Sequence, residues 1–222
     1  AMNDGSKKTL TTRSIVIAAG ASPVVPPLPV IEQSGYVTSD TLWDAFAKLE
    51  TLPKRLVVLG GGPIGCELAQ AFARLGSVVS QIEMAPRILI REDEEVSAFA
   101  QKSLSSDGVQ VLTSHKALRF QNANGVKTLV VEHNGAEKII EYDEVICAVG
   151  RIARLKGYGL EDLGIPTQRT VDTNEYLETI YPNIYAAGDV AGPYQFTHTA
   201  AHQAWYAAVN ALFGTFKKFK AD

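Results

Sequence analysis

The segment that most constrains the fold of this chain runs from Leu56 to Glu83. It opens with a short apolar run of the kind that forms a buried parallel strand. Three glycines with the spacing G-x-G-x-x-G follow: Gly60, Gly62 and Gly65. A helical pattern and a second apolar strand then lead to the carboxylate of Glu83. This order predicts a βαβ unit within a Rossmann-like, doubly wound α/β domain.

Each part of the glycine motif has a physical role in binding a dinucleotide. Gly60 allows the tight turn, Gly62 lets a pyrophosphate approach the backbone, and Gly65 allows close packing of helix and strand. The helix that starts at Pro63 and Ile64 offers free N–H groups and partial positive charge to the phosphates. The motif therefore predicts a dinucleotide site.

Glu83 indicates which dinucleotide is bound. It follows the glycine turn by about 20 residues, the spacing at which an acid accepts hydrogen bonds from the adenosine ribose. Its charge would repel the 2′-phosphate of NADP, although Arg87 in the next loop could contact that phosphate. We therefore predict NAD as the cofactor, with NADP as the alternative.

Composition argues against several other classes of protein. A hydrophobic content of 46% and a charged content of 20% are those of an ordinary globular protein. The net charge of −3 comes without a clustered basic face, so nucleic acid is not an expected partner. No apolar run approaches the roughly 18 residues of a membrane span. Cys66 and Cys147 lack the spacing of a disulfide framework or metal site, which predicts reduced core thiols in a cytoplasmic protein and no bound metal.

The remaining patterns predict a second type of sheet and a final helix. Asn124-Gly125 and Asn134-Gly135 are strong hairpin signals, and they predict an antiparallel meander within residues 116–141. Residues 14–20 and 184–187 resemble buried strands. A helix is predicted from about residue 198 to 213 with one apolar face. The residues predicted on that face are Ala201, Trp205, Ala208 and Leu212.

Four stretches, taken in order, resemble a known family. They are the strand ending at Gly20, the glycine motif, residues 147–151 and residues 184–189. The chain is similar to the flavin-dependent pyridine nucleotide–disulfide oxidoreductases, in the branch of dihydrolipoamide dehydrogenase and mercuric reductase. In that family an NAD(P)-binding domain is inserted into an FAD-binding domain.

The resemblance therefore implies a domain organisation. Residues 28–152 correspond to the NAD(P)-binding domain, and residues 1–27 and 153–222 to two partial pieces of the FAD-binding domain. The resemblance also implies that the strands at 14–20 and 184–187 lie side by side in one sheet.

The resemblance adds candidate residues for the cofactors. Glu67 matches a glutamate near the nicotinamide that pairs with a lysine of the flavin domain, and Gly150 lines the nicotinamide side. Asp189, which follows Gly188, matches the aspartate that accepts a hydrogen bond from a flavin-chain hydroxyl. The helix beginning near Thr197 and His198 is expected to point its N-terminus at the flavin ring.

The predicted function is the nicotinamide-binding part of an FAD-dependent oxidoreductase. Hydride would pass from NAD(P)H to flavin and on to a disulfide or similar acceptor, or in reverse. No second G-x-G-x-x-G and no C-x4-C occur, so the chain is expected to be inactive alone, with no catalytic residue assigned. FAD and homodimerisation through a C-terminal domain are expected only of a full-length enzyme. The alternative is a stand-alone module that binds or senses NAD(H).

Overall fold

The computed structural model of the chain describes residues 5–220. These residues form two compact units, one of them Pro23–Arg151 and the other residues 5–22 together with 152–220. The first unit overlaps the inserted domain predicted at residues 28–152 over most of its length.

The helices and strands of both units follow one another along the chain. The strands are β1 (Ile15–Ile17), β2 (Ala21–Pro23), β3 (Val37–Thr38), β4 (Arg55–Leu59), β5 (Val78–Ile82), β6 (Gln110–Leu112), β7 (Lys116–Ala123), β8 (Val126–His133), β9 (Ala136–Tyr142), β10 (Glu144–Cys147), β11 (Arg151–Ala153) and β12 (Ile184–Ala186). The helices are α1 (Ile31–Ser34), α2 (Leu42–Phe46), α3 (Pro63–Arg74), α4 (Glu94–Ser106) and α5 (Thr197–Phe213), with a 3-10 turn at Gly188–Val190. Within residues 5–220, no helix combines the length and apolar character needed to cross a bilayer.

The Pro23–Arg151 unit is built around a parallel sheet with the strand order β3-β10-β4-β5-β6. Side chains of β4 alternate between its two faces. Val58 packs in a cluster with Phe72 of α3 and Leu104 of α4. Val57 packs on the other side, in a cluster with Phe120 of β7. Both faces of the sheet are therefore covered, which explains why β4 is continuously apolar.

The second face of this sheet is covered by the segment in which the sequence predicts an antiparallel meander, residues 116–141. There β7, β8 and β9 form an antiparallel sheet, and the turns between its strands place Asn124 and Asn134 at positive φ. This sheet is the connection between β6 and β10, in the place where a crossover helix would lie. Helices α3 and α4 consequently pack on one face only.

In the other unit, β1 and β12 pair in parallel, with Ile15 opposite Ile184 and Ile17 opposite Ala186. The expectation that residues 14–20 and 184–187 lie side by side is thus confirmed. The paired segments are shorter than predicted, three residues in each strand.

The face of α5 on which the sequence places Ala201, Trp205, Ala208 and Leu212 is exposed and not buried. Trp205 is 52% exposed and Leu212 is 61% exposed, whereas Gln203 and Asn210 are buried. The two amides are buried because they bond to backbone groups of neighbouring loops; Asn210 Nδ2, for example, donates to the carbonyls of Tyr176 and Lys217. The buried side of α5 is therefore set by these hydrogen bonds together with Ala207, which packs in a cluster with Leu177 and Tyr185.

Candidate functional site

The glycine turn after β4 has a backbone that only glycine accommodates. Gly60 has a φ of 109°, and a Cβ built on it would lie 2.3 Å from the carbonyl oxygen of Ala148. A Cβ on Gly65 would lie 2.2 Å from the carbonyl oxygen of Gly60. In both cases the Cβ would clash with a backbone atom, which can shift only if the chain around it is displaced. The turn is thus packed against the end of β10 and against the first turn of α3.

Gly62 has open space beside its Cα, whereas Gly60 and Gly65 are crowded by backbone atoms. Among residues 5–220, no heavy atom lies within 4 Å of a Cβ built on Gly62, so this part of the chain leaves the surface above Gly62 open. Gly62 is the N-cap of α3, and the first helical bond runs from the Cys66 N–H to the Gly62 carbonyl. Pro63 has no N–H, so Ile64 and Gly65 supply the helix donors that have no intrahelical acceptor. An exposed helix N-terminus beside an open backbone suits a phosphate group.

Glu83 lies against this turn at the end of β5. Its Oε2 accepts a hydrogen bond from the Gly61 N–H at 2.6 Å, and its Oε1 accepts one from the Ala85 N–H at 2.7 Å. The side chain is half-buried. Because each carboxylate oxygen can accept a second hydrogen bond, both oxygens retain capacity for a ligand's hydroxyl groups.

Gly61 is a residue whose importance the sequence pattern does not show. It occupies a variable position of the G-x-G-x-x-G motif, yet it is buried. A Cβ there would lie 2.9 Å from both Glu83 and Ile88. A side chain at this position would therefore displace the carboxylate that the turn holds.

The guanidinium of Arg87 is used within its own loop. It donates to the backbone carbonyls of Leu89, Ile90 and Glu92 at 2.8 to 3.2 Å. These contacts close the loop that follows β5.

Glu67 and Gly150, the two residues expected near the nicotinamide, are exposed. Glu67 is an exposed residue of α3. Gly150 is exposed with a φ of 124°, and its carbonyl accepts a hydrogen bond from the Val24 N–H at 2.9 Å. Gly150 follows closely after Ala148, which contacts the turn at Gly60.

A second group of candidate residues lies in the other unit, where the 3-10 turn and the start of α5 pack together. Gly188 has a φ of 79°, and a Cβ on it would lie 3.4 Å from Cβ of Ala200. The buried Gln203 joins the two elements, because its Oε1 accepts from the Gly188 N–H and its Nε2 donates to the Gly192 carbonyl. Asp189, within the turn, is half-buried.

Thr197 and His198 are exposed at the first positions of α5. The His198 ring stacks on Phe196 at 5.4 Å with an interplanar angle of 7°. The structure thus brings Gly188, Asp189 and the N-terminus of α5 into one neighbourhood, with the His198 ring packed on an aromatic neighbour.

Both cysteines are buried and free. Burial raises the pKa of the Cys66 thiol, and it raises that of Cys147 to about 12. Both thiols therefore stay protonated near neutral pH. Across residues 5–220, no three His, Cys, Asp or Glu residues cluster as a metal site would require.

Comparison with known proteins gives a consistent match. The model of the family described as pyridine nucleotide-disulphide oxidoreductase matches residues 1–204. A mercuric reductase from Staphylococcus aureus is 36% identical over 207 residues, covering 92% of this chain and 37% of the relative. A dihydrolipoyl dehydrogenase from Thermus scotoductus is also 36% identical, over 211 residues, covering 92% of this chain and 44% of the relative.

The fold is similar to that of a solved flavoprotein. The HOCl-induced flavoprotein disulfide reductase RclA from Escherichia coli superimposes with a TM-score of 0.79 at 32% identity, over 92% of this chain and 46% of that one. The chain thus spans less than half the length of each of these three proteins.

Proposed function

Because the chain belongs to the pyridine nucleotide-disulphide oxidoreductases, a family of FAD-dependent enzymes, we propose that it supplies the NAD(H)-binding part of such an oxidoreductase. The observation that carries this proposal is the open backbone at Gly62 beside the N-terminus of α3, with Glu83 held against the same turn. This combination suits a dinucleotide, because it offers donors to the phosphates and acceptors to a ribose.

Each residue of the turn has a task in this proposal. The N–H groups of Ile64 and Gly65 donate to the pyrophosphate, which approaches over Gly62. The remaining acceptor capacity of Glu83 bonds the two hydroxyls of the adenosine ribose. The hydrogen bonds from Gly61 and Ala85 already fix the carboxylate, so little side-chain entropy is lost when the ribose binds.

Two observations favour NAD over NADP. The Glu83 carboxylate would lie beside a 2′-phosphate and repel it. Arg87, the cation that could offset this repulsion, already donates to three backbone carbonyls of its own loop. Turning it towards a phosphate would break those bonds.

The bound nicotinamide would supply hydride chemistry and the flavin would relay it to a disulfide or similar acceptor. In this chain, Glu67 and Gly150 are the residues that we place on the nicotinamide side. Gly188, Asp189 and the N-terminus of α5 at Thr197 and His198 are those that we place against the flavin. The bonds of Gln203 hold this second group in one arrangement, which fits a shared ligand.

A stand-alone NAD(H)-binding or sensing module is the second candidate function. It would use the glycine turn and Glu83 equally well. The packing of the Gly188–Val190 turn against α5 favours the oxidoreductase. A module that binds only the nicotinamide cofactor would not need this packing.

Calorimetric titration of the chain with NADH and with NADPH tests the proposal. We expect stoichiometric NADH binding, tighter than NADPH binding by about tenfold or more, since one hydrogen bond to a charged group contributes roughly 1.5 kcal/mol or more. Equal affinities, a preference for NADPH or no binding at all would contradict it.

A further inference from the structure

Gln81 is a polar residue in the middle of the central sheet. It lies on β5, is 0% exposed, and pairs with Val58 of β4. Buried polar side chains are almost always hydrogen-bonded, so the partners of this amide indicate why it is there.

The nitrogen of the amide faces the glycine turn. Gln81 Nε2 donates to the Gly60 carbonyl at 3.1 Å and lies 3.5 Å from Sγ of Cys66. The Gly60 carbonyl projects into the space that Gly65 leaves by lacking a side chain. Because a carbonyl oxygen can only accept, the nitrogen and not the oxygen of the amide must face it. Gln81 therefore supplies the donor for a buried carbonyl of the turn.

Glu83 holds the other end of the same peptide group. The Gly60 carbonyl and the Gly61 N–H belong to one planar peptide. The Gly61 N–H donates to Glu83 Oε2 at 2.6 Å. Two side chains at the end of β5 thus hold opposite ends of one peptide, and rotating that peptide would break both bonds.

The amide oxygen of Gln81 indicates that packing within the sheet does not account for this glutamine. It is buried, and no donor among residues 5–220 reaches it. An apolar side chain of similar size would bury no such oxygen, and an unsatisfied buried acceptor is destabilising. The bond from its nitrogen to the turn is what the glutamine adds.

We propose that Gln81 is a positioning residue for the nicotinamide cofactor. It fixes the peptide between Gly60 and Gly61 and, through that peptide, the carboxylate of Glu83. In the proposed function, Glu83 discriminates between the free ribose of NADH and the 2′-phosphate of NADPH. Gln81 therefore acts indirectly on the preference for NADH over NADPH. This inference rests on the proposed binding of NAD(H).

The variant Gln81→Met tests it, because methionine has a similar length but neither donates nor accepts as the amide does. We expect the Kd for NADH to rise about fivefold, the loss that one neutral hydrogen bond carries. The ratio of NADPH to NADH Kd should fall by a similar factor. Ser80→Ala is the matched control, since it removes a buried hydroxyl of the same strand that bonds to Gln110 and not to the turn. It should leave the ratio unchanged.

A double variant separates positioning from a general loss of structure. In a Glu83→Gln background, Gln81→Met should change the ratio of the NADPH Kd to the NADH Kd less than it does in the wild type, because both substitutions act on the same side chain. An additive effect, or an unchanged ratio in the folded single variant, would overturn the inference while leaving NAD(H) binding intact.

Wild-type protein gives an independent test if Gln81→Met does not fold. The Gln81 side-chain amide signals in nitrogen-proton NMR spectra should shift when NADH is added. Unshifted signals in the presence of bound NADH would overturn the inference. Absence of NADH binding by the wild type would overturn the proposed function itself.

Discussion

Gly62→Ala is expected to weaken NADH binding by about 10- to 100-fold without destabilising the protein. The added Cβ would meet no heavy atom of residues 5–220 within 4 Å, so we expect the free energy of unfolding to change little. The same methyl group would occupy the surface over which we place the pyrophosphate. Losing one charge-assisted hydrogen bond there corresponds to roughly 1.5–3 kcal/mol, which gives this range of affinity.

Gly65→Ala is the informative comparison, because its Cβ would lie 2.2 Å from the Gly60 carbonyl oxygen. We expect that variant to lose about 3 kcal/mol of unfolding free energy. Urea unfolding followed by calorimetric titration measures both effects for each variant. If Gly62→Ala binds NADH as the wild type does, the pyrophosphate does not lie over Gly62.

Glu83→Gln is expected to remove most of the preference for NADH. The glutamine keeps the size of the side chain, but its amide can accept with one oxygen only, so one of the bonds from Gly61 and Ala85 is lost. We expect the Kd for NADH to rise about tenfold, while NADPH binding is unchanged or stronger because the negative charge is gone.

Glu92→Gln is the control for a general change in local charge, since Glu92 is an exposed acid of the same loop. Titrations of both variants with both nucleotides should show a changed ratio for Glu83→Gln alone. An equal change in the two variants would mean that Glu83 acts through long-range charge and not through the ribose.

The parts of the fold that sequence predicts well are those set by local chemistry. The order of strand, glycine turn and helix follows from Gly60 and Gly65, whose backbone no other residue could adopt without a clash. The Asn-Gly pairs at 124 and 134 mark turns for a similar reason, because asparagine and glycine tolerate positive φ.

The parts that sequence does not predict depend on contacts between distant residues. Gln203 and Asn210 lie on the buried side of α5 because they bond to backbone groups elsewhere in the unit, so apolar periodicity did not identify the buried face. Gly61 is required by Glu83, which lies 22 residues further along the chain. Gln81 did leave a signal, a single amide within an apolar strand, but its partner at Gly60 could not be inferred from the strand alone.

The most direct test of the central claim is to map NADH onto the backbone by nitrogen-proton NMR of the labelled chain. We predict that saturating NADH shifts the N–H signals of Gly61, Gly62, Ile64 and Gly65 most strongly, because these groups surround the open N-terminus of α3. The signals of the Gly188–Val190 turn should move little. Shifts centred on that turn and the start of α5, with the glycine turn unaffected, would contradict the account.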